Sequence, residues 1–375
     1  MPGADDARAR ILFVLPNFAG GGAERVALLL LSKLDRSAFA PQLAVLDATG
    51  PLRALVTEDV VRHDLSRPQL SRALPSLVAT IRRERPAVVF ATQGYLNVAL
   101  LATRPLLPTG TLIAIRESNT PSQSLPNRRH PGLMAWAYRR FYPQADLLFC
   151  QHRQTETEMS EHFGVQAGSL VSLPNPVPVA ALRAAATWPR HTPGPGLRFV
   201  AAGRLERQKG FDRLIDLFAE LPPDAHLTIH GEGGDEALLR QRIESLGLQG
   251  RVVLAGFTDR LPAVLAGADA CVISSRWEGL PNVALESLAV GTPVIATPES
   301  GGIAELAAAA PGAVSIVPWG EVFRERMASC RPRQRETPAA SLLPERYDIE
   351  SVAAIFNDKL RRLAGLAVVG YEEQP

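Results

Sequence analysis

Ile11-Leu12-Phe13-Val14-Leu15, then Gly20-Gly21-Gly22, then an apolar helical pattern over residues 23–34, is the stretch from which the fold can be read. The five apolar residues do not alternate with polar ones. Both faces of their strand are therefore covered, the habit of a parallel sheet sandwiched between helices. The same unit recurs outward from this stretch, with apolar strands at 43–46, 87–91, 112–115 and 147–150 and a helix at 74–85. The rhythm breaks over residues 174–196, where Pro174, Pro176, Pro178, Pro189, Pro193, Gly194, Pro195 and Gly196 give a linker composition. It then resumes with strands at 198–202, 226–230, 252–254, 270–274 and 293–297. Helices at 211–220, 237–246, 262–266 and 283–290 alternate with them. The expected fold class is α/β, with two doubly wound domains. Residues 1–178 form the first domain, 179–196 a linker, 197–345 the second domain and 346–375 a terminal segment with a helix at 349–363. Residues 321–344, rich in Arg, Pro and Ser, read as irregular. A cleft between two such domains is a common ligand site.

Composition bounds the reading without choosing a chemistry. The 375 residues exceed a single domain of roughly 100–200. With 46% hydrophobic and 21% charged residues, the chain is neither disordered nor fibrous. Its 40 basic and 38 acidic side chains nearly cancel, without the excess a nucleic-acid protein needs to neutralise phosphates. Cys150, Cys271 and Cys330 are too few and too scattered for a disulfide framework or a zinc site, which fits a reducing compartment. No apolar run approaches the ~18–20 residues of a membrane span. The first apolar stretch follows Asp5, Asp6, Arg8 and Arg10 and is too short for a signal sequence. A soluble cytoplasmic protein is expected.

Three loops at strand ends carry candidate chemistry. Gly20-Gly21-Gly22-Ala23-Glu24-Arg25 has no Cβ atoms to keep a ligand off the backbone, and amides at the next helix start suit a phosphate or carboxylate. Gly21 and Gly22 are candidate donor contacts on that ground, with a merely flexible connection as the plainer alternative. The spacing is not that of a dinucleotide site. Gly203-Arg204-Leu205-Glu206-Arg207-Gln208-Lys209-Gly210 places Arg204 and Lys209 on one loop, where a guanidinium fork and an ammonium can converge on a diphosphate. A solvated basic loop is the bland reading. In Ser275-Arg276-Trp277-Glu278-Gly279-Leu280-Pro281, Glu278 precedes a helix and Glu286 follows two turns on. Glu286 inside the apolar run 283–290 would be costly if buried unpaired, and a hydroxyl-rich ligand or a neighbouring Arg would satisfy it.

The set Gly203-Arg204, Gln208-Lys209-Gly210-Phe211-Asp212, Gly231-Glu232-Gly233, and Glu278 with Glu286 resembles glycosyltransferase family 4. The resemblance is strongest over residues 199–306 and weaker at Gly20–Glu24 and Pro174-Asn175-Pro176-Val177. It implies a GT-B fold, two Rossmann-like domains facing across a cleft, with the last helix crossing back to the first domain. It implies retaining transfer of a sugar from a nucleotide-diphosphate donor, with UDP expected at the level of the family, where GDP donors also occur, and with neither metal nor cofactor. Arg204 and Lys209 would stabilise charge on the departing diphosphate. Glu278 would hold a donor-sugar hydroxyl, Glu286 the ribose hydroxyls, and Gly203 with the amides of Gly279 and Leu280 would line the donor site. Many relatives carry a histidine at an N-domain strand end; here Ile113 to Pro121 has none. Glu117, Arg116 or Asn119 stands in its place, and Glu117 is the candidate catalytic group. His63, His152 and His162 read as surface or structural residues.

Arg82-Arg83, Arg128-Arg129 and the stretch Trp136-Ala137-Tyr138-Arg139-Arg140-Phe141-Tyr142 match an anionic membrane surface, and equally a core helix with solvated arginines. The expected partners are a nucleotide-sugar donor, a glycan or lipid-linked acceptor in polysaccharide or glycoconjugate synthesis, and that membrane surface, with no nucleic acid. A GT-B-fold UDP-N-acetylhexosamine epimerase and an inactive nucleotide-sugar-binding subunit are the alternatives.

Overall fold

A computed structural model describes residues 8–186, 196–333 and 339–367. Contacts divide these into two units, residues 8–176 with 349–367, and residues 177–348. The first holds β1 Ala9–Leu15, β2 Phe39–Val45, β3 Val61–Asp64, β4 Val88–Ala91, β5 Leu112–Glu117, β6 Leu147–Cys150 and β7 Leu170–Ser172, paired in the order β3-β2-β1-β4-β5-β6-β7. The second holds β8 Arg198–Ala202, β9 His226–His230, β10 Val252–Gly256, β11 Ala270–Ile273, β12 Val294–Ala296 and β13 Val314–Ile316, in the order β10-β9-β8-β11-β12-β13. Every pairing in both sheets is parallel. Ile11 to Leu15 are buried on both faces, as their unbroken apolar run requires. Among the described residues, no helix is long and apolar enough to cross a membrane.

The structure adds elements that pattern reading passes over. β3 reads Val-Arg-His-Asp and is exposed along most of its length, so an edge strand carries no apolar signal there. Residues 321–344, expected irregular, begin with the helix Glu321–Ala328, which buries Phe323 and Met327 at helical spacing among charged neighbours. The expected linker at 179–196 begins with the helix Val179–Ala185, part of the second unit. Proline marks the residues around this helix, while Val-Ala-Ala-Leu-Arg-Ala-Ala itself is a good helix former. Its Leu182 joins Leu285 and Leu288 in the core, and Arg183 donates to the Ala339 carbonyl at 2.9 Å. Pro189, Pro193, Gly194 and Pro195 lie outside the described residues. Where the chain enters and leaves the second unit, Val177 pairs with Asp348 in a parallel bridge and its N–H donates to the Tyr347 carbonyl at 2.9 Å.

The helix Ile349–Leu363 belongs to the first unit. Its Phe356 is fully buried among strand phenylalanines, with ring centroids 5.3 Å from Phe90, 5.2 Å from Phe149 and 6.1 Å from Phe13. Asn357 accepts from the Asp35 N–H and donates to the Lys33 carbonyl, and Arg361 pairs with Asp35. Burial opposes ionisation of Asp35, but hydrogen bonds from Ser37 and Arg361 win and hold its carboxyl at about 2. Phe356→Ala removes an aromatic side chain from a packed site and should cost about 3–5 kcal/mol in urea unfolding. A loss below about 1 kcal/mol would show that this helix is not part of the core.

Candidate active site

In a doubly wound sheet a crevice opens where strand order reverses, because the loops on either side leave in opposite directions. In the second unit the reversal lies between β8 and β11, and the loops beyond them are residues 203–210 and 274–281. The Arg276 N–H donates to the Gln208 carbonyl at 2.7 Å, joining these two loops, and further backbone bonds tie each to the strand ends beside it. The Gly203 N–H donates to the His230 carbonyl (2.9 Å) and the Gly302 N–H to the Gly279 carbonyl (2.6 Å). Gly210 has φ +66°, and a Cβ there would sit 2.2 Å from the Ser274 oxygen. Gly301 has φ +60°, with its Cβ position 2.0 Å from the Gly279 oxygen and 2.3 Å from that of Glu278. Both positions are restricted to glycine by conformation and by space.

Within this frame Lys209 and Glu278 form an ion pair, their side chains only 18% and 9% exposed. The Ser275 hydroxyl donates to the same Glu278 oxygen at 2.8 Å. Lys209, Ser274, Ser275, Glu278 and Val283 line one small pocket. Gly203 makes room for the Lys209 stem, whose Cε lies 2.9 Å from the glycine's Cβ position. Gly279 and Leu280 are buried beside Glu278. Arg204 does not converge with Lys209: it turns outward, 63% exposed, onto Glu206 at 3.0 Å. Glu286 is half-buried on the helix Asn282–Ala289, beside β11, where burial and then the Glu286 charge help push the Cys271 thiol up to about 12.

The first unit has its own reversal, between β1 and β4. The glycine loop is here, but the anion beside it is the chain's own Glu24. That carboxylate lies 2.1 Å from the Cβ position of Gly21 and accepts from Gln93, at the end of β4, at 2.5 Å. Gly21 and Gly22 thus stand next to the chain's own carboxylate, in the loop where a donor's phosphate or carboxylate is expected.

Glu117 also differs from expectation. It is 1% exposed, and one oxygen accepts from the hydroxyls of Tyr142 (2.6 Å) and Tyr138 (3.0 Å). Its other oxygen accepts from the N–H groups of Ser118 and Asn119, both at 3.1 Å. Burial pushes this carboxyl up, with the tyrosine hydroxyls opposing. A carboxylate so enclosed and so fully bonded orders the end of β5, and it presents no oxygen to a substrate. The buried Arg116 beside it donates to Asn175 and to Ser118, and burial lowers it to about 10. His152 is likewise buried, within reach of the Thr120 and Thr155 hydroxyls at 3.3 and 3.2 Å.

Two family models divide the chain as the sheets do. "Glycosyl transferase 4-like domain" matches residues 21–176, and "Glycosyl transferases group 1" matches residues 190–319. The chain belongs to the family 4-like glycosyltransferases. An uncharacterised glycosyltransferase of Methanocaldococcus jannaschii is 28% identical over 234 residues, 59% of this chain and 58% of that protein. This chain thus spans less than two thirds of that relative. A Campylobacter jejuni N-acetylgalactosamine-N,N'-diacetylbacillosaminyl-diphospho-undecaprenol 4-alpha-N-acetylgalactosaminyltransferase is 25% identical over 311 residues, 77% of this chain and 81% of the enzyme. Among solved structures, Anabaena HepE in complex with UDP and glucose is similar with a TM-score of 0.74 at 19% identity, over 95% of this chain and all of that one. At that identity the likeness is one of fold, and the fold is GT-B.

Each unit also holds, at its own strand-order reversal, a group that sequence reading left out. Ser275 stands inside the motif but has no charge to draw notice. Gln93 meets Glu24 from 69 positions away, a pairing without any local signal. Among the described residues, no three His, Cys, Asp or Glu side chains gather as a metal-binding group. Gly301→Ala should push the Glu278 backbone outward and lower glycosyltransferase turnover on the order of tenfold. Gly312→Ala is the control, since Gly312 has φ +76° with nothing within 4 Å of its Cβ position. Equal turnover in the two variants would mean that the Gly301 contact does not shape the site.

Proposed function

We propose that this glycosyltransferase moves a sugar, with retention of configuration, from a UDP-sugar to a glycan or lipid-linked acceptor on the cytoplasmic side of a membrane. The observation that carries this reading is the Lys209–Glu278 pair at the β8/β11 reversal, a cation and a hydroxyl-binding acid side by side. As the bond from the anomeric carbon to the β-phosphate oxygen breaks, negative charge collects on that phosphate, and Lys209 is placed to stabilise it. Glu278 takes a donor-sugar hydroxyl and Glu286 the ribose hydroxyls, while the backbone at Gly203, Gly279 and Leu280 walls the donor. Arg204 adds a second, solvent-screened charge from the rim of the loop. The acceptor oxygen bonds to the anomeric carbon on the face the phosphate leaves, and its proton passes to the departing phosphate oxygen. No protein base is then needed, which accords with the enclosure of Glu117. Side chains supply the positive charge, so neither metal nor cofactor takes part.

Support for the nucleotide comes from Anabaena HepE, solved with UDP-glucose. Support for a lipid-diphosphate acceptor comes from the named substrate of the Campylobacter jejuni relative. For a membrane, it comes from the helix Pro131–Phe141. Tyr138 is buried on Glu117, whereas Leu133 and Trp136 are 63% and 55% exposed beside exposed Arg139 and Arg140. An apolar pair flanked by arginines suits an anionic lipid surface.

Purified protein incubated with UDP-glucose, UDP-N-acetylglucosamine or GDP-mannose should release nucleoside diphosphate slowly from one of them, at a rate unchanged by EDTA. Lys209→Ala should lower that rate on the order of 100-fold. Epimer formation, or no release together with no thermal stabilisation by any donor, would overturn the reading. Vesicles containing phosphatidylglycerol should co-sediment with the protein at low salt and do so less with Trp136→Ala. Failure of the unaltered protein to co-sediment would remove the membrane from the proposal.

A further inference from the structure

The loops after β8 and β11 exchange backbone partners in both directions. Three consecutive carbonyls of the first loop each accept from the second. Arg207 receives the Arg276 guanidinium at 2.8 Å, Gln208 receives the Arg276 N–H at 2.7 Å, and Lys209 receives the Ser274 hydroxyl at 2.9 Å. In return, the Arg213 guanidinium donates to the carbonyls of Ser274 (2.7 Å) and Ser275 (2.8 Å), and the Gln208 amide donates to that of Trp277 (3.0 Å). Arg276 is fixed by a bidentate pair with Asp212, at 2.8 and 2.7 Å, on the helix Phe211–Phe218 that follows the first loop. Arg213 lies over the Trp319 ring at 4.4 Å. A lysine ammonium rides on four rotatable bonds, so the backbone beneath it must be held if the charge is to meet a phosphate in one place.

We propose that Arg276, locked by Asp212, is the positioning residue that fixes the Lys209 ammonium for the β-phosphate of a nucleoside diphosphate. The inference rests on the nucleotide-sugar reading above. Arg276 spends its guanidinium on Asp212 and the Arg207 carbonyl, so it acts through the loop backbone just before Lys209 and is not itself a phosphate ligand. Breaking the brace from either side therefore has the same consequence. A ligand that ends at its α-phosphate is indifferent to it.

The test compares UDP with UMP by calorimetric titration of the full chain, with thermal unfolding as a check on folding. The unaltered protein should prefer UDP. Arg276→Gln should lower that preference ~10-fold, the loss expected of a hydrogen bond to a charged group, and leave UMP affinity within about twofold. Asp212→Asn, nearly isosteric, should do the same and serves if the arginine variant unfolds. In a Lys209→Ala background, Arg276→Gln should add no further loss. An unchanged UDP preference in either single variant, an additive loss in the double variant, or tighter UDP binding by Asp212→Asn would overturn the inference. If the unaltered protein binds neither nucleotide, the nucleotide-sugar reading falls together with it. Normal UDP preference that survives both variants overturns the brace alone.

Discussion

The parallel register of β8 against β11 is the constraint on which the active site depends. Because the chain winds away from β8 toward β9 and from β11 toward β12, the loops between them have no crossing helix above them. Lys209 comes from one of these loops and Glu278 from the other, 69 positions apart, and the sheet alone makes them neighbours. Their burial demands a partner for each, which they supply to one another. Everything around them, from the glycines at 210 and 301 to the exchanged carbonyls, serves to bring two backbones closer than side-chain-bearing residues would permit.

The same topology occurs in the first unit with other chemistry. At the β1/β4 reversal, Glu24 meets Gln93, an acid and an amide suited to hydroxyl groups. Two sheets built on one plan thus offer an acid with a cation in one case and an acid with an amide in the other. A net charge of +2 conceals this division, since it averages over both.

Much of this was legible in the chain because buried parallel strands leave unbroken apolar runs. The ranges 147–150, 198–202 and 226–230 coincide with β6, β8 and β9. What escaped had a physical reason in each case. β3 is an exposed edge, and the helix Glu321–Ala328 buries two side chains among charges. The motif residues Lys209 and Glu278 were legible as site residues, since their loops follow strands. Their mutual pairing was not, nor was the outward turn of Arg204, because both depend on side-chain directions set by loop packing. Glu117 misled for a related reason. A carboxylate at a strand end looks available until the tyrosines 21 and 25 positions later are seen to enclose it.

Phe356 gives the molecule an order of assembly. The first unit's core includes an aromatic ring from a helix that the ribosome makes only after the whole of the second unit. The second unit is contiguous, residues 177–348, and has all its strands before that helix emerges. During synthesis the amino-terminal sheet therefore carries an open apolar slot between Phe13, Phe90 and Phe149 while its successor can already close. Domains usually complete in the order they leave the ribosome. In this chain the half that is made first is finished last, and a stalled or truncated message would leave it the more prone to aggregate.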